Sequence, residues 1–245
     1  MGNWFYDEMK HCGVDYSDDK QAQNYDWLHL QFRDYKKEFE GMLDFLSLSA
    51  NEETRQMSLI DLGCGTGAST VYASKHFKKV FAVDVSEVMI TEAKHKSEAA
   101  NLKNVEFHTG GFLTYNHSAQ PVDLLVAKHS FHHIPDFWKQ IALYRMNKMI
   151  KTGGVLYLCD VVFNVTADNY KTKINDFVAG FKKAAGDAFG AEVETHIRDE
   201  FSTFGWILEG MIEIAGFKVE KKRLSEDSFV SELLCRKERE IAFEQ

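Results

Sequence analysis

Short apolar runs alternate with helical patterns through the middle of the chain. The apolar runs predict strands at residues 58–62, 80–85, 105–108, 122–128 and 155–163. The patterns between them predict helices at 68–79, 88–100 and 136–150, and Gly153-Gly154 predicts a turn just before the fifth strand. Nearly continuous apolar strands separated by helices are typical of a parallel sheet covered on both faces. The middle of the chain therefore predicts an α/β fold.

Two helical stripes precede this region. Ala22, Tyr25, His29 and Phe32 are spaced to share one face of a helix, with Ser17 or Asp18 as its N-cap. A second stripe consists of Phe39, Met42, Leu43 and Leu46. The pattern predicts an N-terminal helical cap at residues 1–48 in front of a main domain at 49–245.

The C-terminal part departs from the alternation before it returns to strands. An amphipathic helix is predicted from Ile174 to Ala185, and another from Thr203 to a helix-ending glycine at Gly216. Strands at 218–224 and 229–235 are close enough to pair as an antiparallel hairpin at a sheet edge. Residues 166–202 are predicted to be a helical insertion over the carboxyl edge of the sheet. Its acids are predicted to form a solvated face, namely Glu192, Glu194, Asp199 and Glu200.

The first predicted strand ends in a glycine-rich turn, Gly63-Cys64-Gly65-Thr66-Gly67, which opens a predicted helix. Glycines at such a turn let the main chain bend tightly and approach a ligand closely. The turn also satisfies the relaxed fingerprint of dinucleotide-binding loops. Asp61 disfavours that ligand, because its charge would repel a diphosphate. The same carboxylate suits a ligand with an ammonium group and no phosphate, such as S-adenosylmethionine.

A second acid, Asp84, ends the next predicted strand, 84 − 67 = 17 residues after Gly67. A carboxylate at that place can accept hydrogen bonds from both hydroxyls of a ribose. The alternative is a purely structural glycine turn with two surface acids.

Four motifs carry a family resemblance: Asp61-Leu62-Gly63-Cys64-Gly65-Thr66-Gly67, Val83-Asp84-Val85-Ser86 with Met89, Phe131-His132-His133-Ile134, and Gly153-Gly154 before a strand. From about residue 58 to 237 the chain resembles the class I S-adenosylmethionine-dependent methyltransferases, in particular those that act on small molecules. The resemblance implies a Rossmann-like sheet of seven strands, mostly parallel, with helices on both faces. The C-terminal hairpin would supply its one antiparallel strand.

The resemblance also implies the residues that bind the cofactor. They are Asp61, Gly63, Cys64, Gly65, Gly67, Asp84, Val85, Met89, Gly111, Phe112 and Lys128, with Tyr25 and Arg33 for the cofactor's carboxylate. Asp61 would meet the ammonium group and Asp84 the ribose, while Val85 would pack on the adenine. Many relatives have an acid after the third strand that binds the adenine amine, and this chain has Gly111 at that place.

Histidines are the candidate catalytic residues. His132 and His133 follow the fourth strand, where an open α/β sheet exposes its ligand crevice, and His29 lies in the predicted cap. A histidine pKa near neutrality suits a general base. The alternative for the His132-His133 pair is that it shapes the pocket or caps the next helix.

The acceptor is predicted to contact Phe32, His196 and Trp206. No metal site is expected, because the histidines at 129, 132 and 133 lie on one short span without a carboxylate partner.

Composition narrows the function classes. Lys and Arg number 29 against 37 Asp and Glu, a net charge of −8, which disfavours general nucleic-acid binding. The 4 scattered cysteines suggest a reducing cytoplasm. No apolar run approaches the length of about 18 residues that a membrane span needs, and the start lacks the pattern of a secretory signal.

The resulting prediction is methyl transfer from S-adenosylmethionine to an oxygen, nitrogen or sulfur of a small molecule by in-line displacement, releasing S-adenosylhomocysteine. The enzyme is expected to be a cytoplasmic monomer or homodimer without nucleic-acid or membrane partners. Three alternatives stay open: an RNA or DNA methyltransferase on the same fold, an NAD-dependent oxidoreductase, and a cofactor-binding protein without transferase activity.

Overall fold

A seven-stranded sheet with helices on both faces forms the body of the molecule. The computed structural model describes residues 2–10, 33–49 and 51–242. The strands are β1 (Ser58–Leu62), β2 (Lys79–Asp84), β3 (Val105–Thr109), β4 (Val122–Lys128), β5 (Ile150–Val161), β6 (Phe217–Leu224) and β7 (Val230–Lys237). The helices of these described residues are α1 (Tyr35–Phe45), α2 (Ala68–His76), α3 (Glu87–Ala99), α4 (Asp136–Met149), α5 (Tyr170–Ala185), α6 (Asp187–Asp199) and α7 (Gly205–Ile214).

The strand order across the sheet is β3-β2-β1-β4-β5-β7-β6. Strands β1 to β5 pair in parallel, whereas β7 pairs antiparallel with both β5 and β6. The carboxyl ends of the parallel strands therefore meet at one edge, where an α/β sheet places its ligand crevice. The predicted fold class and the antiparallel C-terminal hairpin are confirmed.

Both faces of the sheet are buried, which explains the unbroken apolar strands. On β1, Leu59 packs with α1 and α2 on one side, and Ile60 packs with α4 and α7 on the other. These two side chains are 1% and 0% exposed. Burial of both faces makes the sheet a rigid support for the loops at its carboxyl edge.

Side-chain caps define where the helices begin. Asp34 accepts a hydrogen bond from the amide of Lys37 at the start of α1, at 3.0 Å. Ser86 accepts one from the amide of Met89 at the start of α3, at 3.3 Å. Each cap pairs one of the amides that a helix leaves without an internal partner. The second N-terminal stripe is thus confirmed as a helix, while the stripe at 22–32 and its N-cap candidates lie outside the described residues.

The predicted turn at Gly153-Gly154 is wrong, because both glycines lie inside β5. The strand begins at Ile150, which pairs with Val122 and is 0% exposed. Val122 pairs with Ile150 and Leu124 pairs with Val155, so an advance of two residues in β4 corresponds to an advance of five residues in β5. The extra residues form a bulge in which Gly153 has φ +80°, a conformation that favours glycine.

The insertion consists of α5 and α6, which lie side by side. Its aromatic side chains pack onto the body of the protein, since Phe177 stacks on Phe229 with ring centroids 4.4 Å apart. Phe229 immediately precedes β7, whose first residues lie at the carboxyl edge of the parallel strands. The helices of the described residues include none with the length and apolar character needed to cross a membrane.

Candidate functional site

The turn between β1 and α2 depends on its glycines. Gly63, Gly65 and Gly67 have φ values of +83°, +53° and +74°, which L side chains rarely adopt. A Cβ on Gly67 would lie 2.8 Å from the Cβ of Ala93, and one on Gly63 would collide with the Ser130 side chain. A Cβ on Gly65, by contrast, would meet no atom within 4 Å. The turn packs tightly against the protein at both ends and faces open space at its middle.

Asp84, at the end of β2, is bound to this turn. One of its oxygens accepts from the amide of Gly65 at 2.8 Å, and the other accepts from the amide of Ser86 at 2.9 Å. Burial raises the pKa of Asp84 above its usual value, and backbone hydrogen bonds, foremost those from Ser86 and Gly65, oppose that shift. Each oxygen keeps a lone pair for a further donor. The carboxylate is therefore held in a fixed orientation at the crevice.

Asp61, on β1, lies beside it and is 5% exposed. Its carboxylate accepts from the Thr70 hydroxyl at 2.7 Å. Burial is the main reason that the pKa of Asp61 rises to about 6; the charge of Asp84 adds to it, while Thr70 and Lys128 oppose it. At neutral pH Asp61 is an anion with little compensation from its surroundings. Such a group attracts a ligand cation.

A cluster of three charges, Arg33, Glu38 and Lys128, includes two residues that line a cavity together with Asp61. Glu38 accepts from Arg33 through both of its oxygens, at 2.8 and 2.7 Å, and forms an ion pair with Lys128. Although burial alone would raise the pKa of Glu38, the hydrogen bonds and charges of Arg33 and Lys128 lower it to about 2. Glu38, Asp61 and Lys128 all line one cavity. With two cations and one anion, the cluster of Arg33, Glu38 and Lys128 has a net charge of +1.

The residues expected around an adenine surround the ends of β2 and β3. Met89 is 3% exposed, and Phe112 is 6% exposed and packs edge-on against Phe131. The amide of Gly110 donates to the carbonyl of Asp84 at 2.9 Å, which holds the two strand ends together. Cys64 is 9% exposed, and burial raises the pKa of its thiol well above the usual value. The Cys64 thiol is therefore uncharged at neutral pH.

A buried charge cluster lies after β4. Asp160 accepts from the amides of Phe131 and His132 at 2.7 and 3.1 Å, and it forms an ion pair with Nδ1 of His132. Nε2 of the same ring lies 3.3 Å from a carboxylate oxygen of Glu200. Burial alone would lower the pKa of His132, but the charge of Asp160, its hydrogen bond and the charge of Glu200 raise it instead. His132 is thus a buried imidazolium between two carboxylates.

Two other histidines near this cluster, His133 and His129, differ from His132 in charge. Burial and the neighbouring charge of His132 lower the pKa of His133 to about 3. Burial and the charges of Arg33 and Lys128 do the same for His129, also to about 3. His196 forms an ion pair with Glu200, and its Nε2 lies 3.0 Å from the Ser202 hydroxyl.

The cluster also bears on the expectation that no metal would bind. Ligand atoms of His132, His133 and Glu200 all lie within 4.8 Å of one another, so their geometry could hold an ion. The sequence argument against a metal assumed that no carboxylate was near, and Glu200 overturns that assumption. Both nitrogens of His132 already face carboxylates, however, so a metal would have to displace an existing ion pair.

An N-terminal strap, residues 2–10, closes this edge of the sheet. The Tyr6 hydroxyl donates to the carbonyl of His133 at 3.3 Å, and the Phe5 ring packs on Trp138 with centroids 4.9 Å apart. Further along the strap, Glu8 accepts from the amides of Leu113 and Thr114, beyond β3. The strap therefore connects the histidine cluster to the end of β3.

Tyr25, His29 and Phe32 are outside the described residues. Trp206 is 73% exposed and stacks on Phe204, which is itself 42% exposed. None of the described contacts links Trp206 to the crevice, so the structure gives no support for its predicted contact with the acceptor.

Four acids of the site were missed by sequence reasoning, and one of them is Glu38 in the cluster with Arg33 and Lys128. Asp160 had a visible signal, because it interrupts an apolar strand near its carboxyl end, as Asp84 does in β2. Glu200 was wrongly predicted to be solvated; its side chain is 3% exposed, because the chain turns into the body directly after α6. Glu8 had no local signal.

Comparison with known proteins gives consistent matches. A family model described as a methyltransferase domain matches residues 53–225. An uncharacterized methyltransferase of Bacillus mycoides is 26% identical over 216 residues, which are 87% of this chain and 94% of the relative.

Solved structures share the fold. A SAM dependent methyltransferase from Aquifex aeolicus superimposes with a TM-score of 0.60 at 19% identity, covering 90% of this chain and 98% of its own. The magnesium protoporphyrin IX methyltransferase of Synechocystis, solved with bound S-adenosylhomocysteine, gives a TM-score of 0.64 at 13% identity, with 90% and 97% covered.

Proposed function

The chain belongs to the methyltransferase family whose domain model spans most of its length, and on that premise we propose that it transfers the methyl group of S-adenosylmethionine to a small-molecule acceptor. The observation that carries the proposal is the pair of carboxylates at the ends of adjacent strands beside a glycine turn, buried Asp61 and half-buried Asp84. The Synechocystis structure, which has this fold, was solved with the product S-adenosylhomocysteine bound.

The nucleoside part of that cofactor fits the residues present. Asp84 has a free lone pair on each oxygen for the two ribose hydroxyls, and its orientation is fixed by the amides of Gly65 and Ser86. The open space at Gly65 lets the ligand approach the main chain. We assign the ribose to Asp84. We place the methionine portion of the cofactor, which carries the sulfonium, at the middle of the glycine turn.

The charged tail fits the neighbouring cavity. Asp61, ionised at neutral pH, supplies an anion for the cofactor's ammonium group. Arg33 and Lys128 exceed the single charge of Glu38 and supply the positive charge for the cofactor's carboxylate. A diphosphate would place two further anions beside Asp61, which disfavours an NAD-dependent oxidoreductase.

When bound, S-adenosylmethionine would supply a methyl group activated by its sulfonium, for in-line transfer to an oxygen, nitrogen or sulfur of the acceptor with S-adenosylhomocysteine as the leaving group. The chain's own residues then have to align the acceptor and exclude water. The N-terminal strap covers the edge at which the acceptor would enter, since Tyr6 and Phe5 contact His133 and Trp138.

His132 is poorly suited to be a general base, because it is already protonated and faces two carboxylates. We assign it the role of a positioning residue that anchors the insertion through Glu200 to β5 through Asp160. His133 is neutral and is the better candidate to take a proton, although a pKa of about 3 makes it a weak base. The acceptor would then need to be a nucleophile that loses its proton readily.

The test has two stages. Calorimetry should detect S-adenosylhomocysteine but not NAD, and Asp84→Asn should weaken that binding while leaving the unfolding midpoint nearly unchanged. Labelled S-adenosylmethionine should then transfer its methyl group to a member of a metabolite panel rather than to total RNA. Binding of NAD alone would refute the cofactor, and labelled RNA would refute the acceptor class.

We also propose a cytoplasmic location. Support comes from Cys64, Cys159 and Cys235, which are buried free thiols among the described residues.

A further inference from the structure

Glu8 is the one acid of the N-terminal strap that enters the body of the protein. Its Oε1 accepts three hydrogen bonds, from the amides of Leu113 and Thr114 and from the Thr114 hydroxyl, at 2.8, 2.7 and 2.7 Å. The residue is only 8% exposed. These bonds fix the carboxylate over the turn that follows β3.

The second oxygen of the same carboxylate has no partner. Glu8 Oε2 is buried and receives no hydrogen bond from any described residue. A buried carboxylate oxygen without a donor is costly, by about 1–3 kcal/mol or more. Three donors on Oε1 and none on Oε2 indicate that Oε2 is directed at a donor other than the residues that the structure describes.

The surroundings of Oε2 identify where that donor lies. A Cβ on Gly111 would fall 2.6 Å from Glu8 Oε2 and 2.6 Å from a methyl carbon of Val85. Glu8 thus occupies the space that a side chain at position 111 would take. Val85 directly follows Asp84, whose carbonyl accepts from the amide of Gly110.

A base attached to a ribose on Asp84 would therefore lie against Val85, within reach of Glu8. Its polar edge would meet Oε2, which can only accept when Glu8 is ionised. Burial raises the pKa of Glu8, while the hydrogen bonds from Thr114 and Leu113 and the charge of Arg145 favour the ionised form. Adenine presents an exocyclic amine on that edge, whereas hypoxanthine presents a carbonyl oxygen.

We propose that Glu8 is a specificity-determining residue, whose Oε2 accepts a hydrogen bond from the 6-amino group of the cofactor's adenine. The inference rests on the proposed function, because it takes the ribose to be bound by Asp84. In this proposal Glu8 of the N-terminal strap takes the role of the adenine-binding acid, which is absent at position 111, where the chain has a glycine.

The test compares two ligands that differ only at this group, S-adenosylhomocysteine and its 6-oxo analogue S-inosylhomocysteine. Calorimetry on the wild-type protein should show the amine form binding at least about tenfold more tightly, the effect expected for one hydrogen bond to a charged group. Glu8→Gln keeps a carbonyl oxygen for the three donors on Oε1 and places an NH₂ group at the Oε2 position. This variant should therefore reverse the preference and favour the 6-oxo ligand.

Two controls separate the possible outcomes. Asp7→Asn changes an exposed neighbour in the strap, whose side chain accepts from the amide of Met9 two residues along, and should leave both affinities unchanged. The urea unfolding midpoint shows whether Glu8→Gln still folds with the strap in place. If Glu8→Gln weakens the binding of both ligands equally, the inference is overturned and the role of Glu8 is limited to holding the turn after β3. Failure of the wild-type protein to bind either ligand would refute the proposed function instead.

Discussion

The ion pair between His132 and Asp160 is a deeply buried charge interaction at the site, and its removal has a predictable cost. The two side chains are 7% and 4% exposed. Asp160 also accepts from the amides of Phe131, His132 and Val161. Burial alone would raise the pKa of Asp160, but the charge and hydrogen bond of His132 hold it well below the usual value.

Asp160→Asn removes the charge and keeps one acceptor oxygen for the backbone amides. Breaking a buried pair costs about 3–5 kcal/mol, and the retained acceptor places the expected loss near the lower end, at about 3 kcal/mol. For a chain of this size, that loss corresponds to a decrease in Tm of roughly 6–12 °C. Urea unfolding followed by circular dichroism measures it.

The pH dependence provides a sharper test. The pKa of His132 is raised in the folded state, so its contribution to stability is fully present below the unfolded value of about 6.5 and is lost as pH rises through the folded value. Asp160 is ionised throughout this range. Asp160→Asn should therefore cost more at pH 6 than at pH 9.

Asp123→Asn is the matched control, because Asp123 also accepts a backbone amide and pairs with a cation, Lys151, but at the surface. Its loss should be about 1 kcal/mol or less. A cost below about 1 kcal/mol for Asp160→Asn at pH 6, or equal costs at both pH values, would refute the argument.

Three further predictions concern the cofactor crevice. Asp84→Asn should weaken S-adenosylhomocysteine binding by about 1–3 kcal/mol in calorimetry, and unchanged affinity would contradict the ribose assignment. The affinity for S-adenosylhomocysteine should increase between pH 5 and pH 7, because Asp61 ionises with a pKa of about 6. In Asp61→Asn the affinity should not change over this pH range. A pH-independent affinity of the wild-type protein would argue against Asp61 as the partner of the ammonium group. Gly67→Ala should destabilise the fold by about 1–3 kcal/mol in urea, because of its positive φ and the contact with Ala93. Gly65→Ala should lower affinity more than stability, and the opposite order for the two glycine variants would show that the crevice is misplaced.

The parts of the molecule that could be predicted from the sequence are those with local signals. Buried strands and helix stripes indicated the sheet and its hairpin. Because parallel strands bring their carboxyl ends together, Asp61 and Asp84 could be placed at one edge from their positions in the chain alone. The start of β5 could not be placed, because pairing of Ile150 with Val122 overrides the preference of Gly153-Gly154 for a turn.

The missed acids depend on contacts that are distant in sequence. Glu8 is bonded to Leu113, 105 residues away, and the aromatic residues before it have no helix or strand period. Glu200 follows a helix whose polar face suggested solvent, and its burial arises only when α6 packs beside His132. The local sequence pattern carries no information about such contacts. For this reason Glu8 and the charge cluster around His132 could be identified only from the three-dimensional structure.

The position of β7 has a consequence for biosynthesis. Of the described strands it comes last in sequence, yet it lies between β5 and β6, and its Lys237 donates to the carbonyls of Asn147 and Ile150. While the ribosome is still adding residues before 230, β5 therefore has an open edge with unpaired amides and carbonyls. The sheet can close only after synthesis has passed this point, so a nascent chain stalled earlier should need a chaperone to stay out of aggregates.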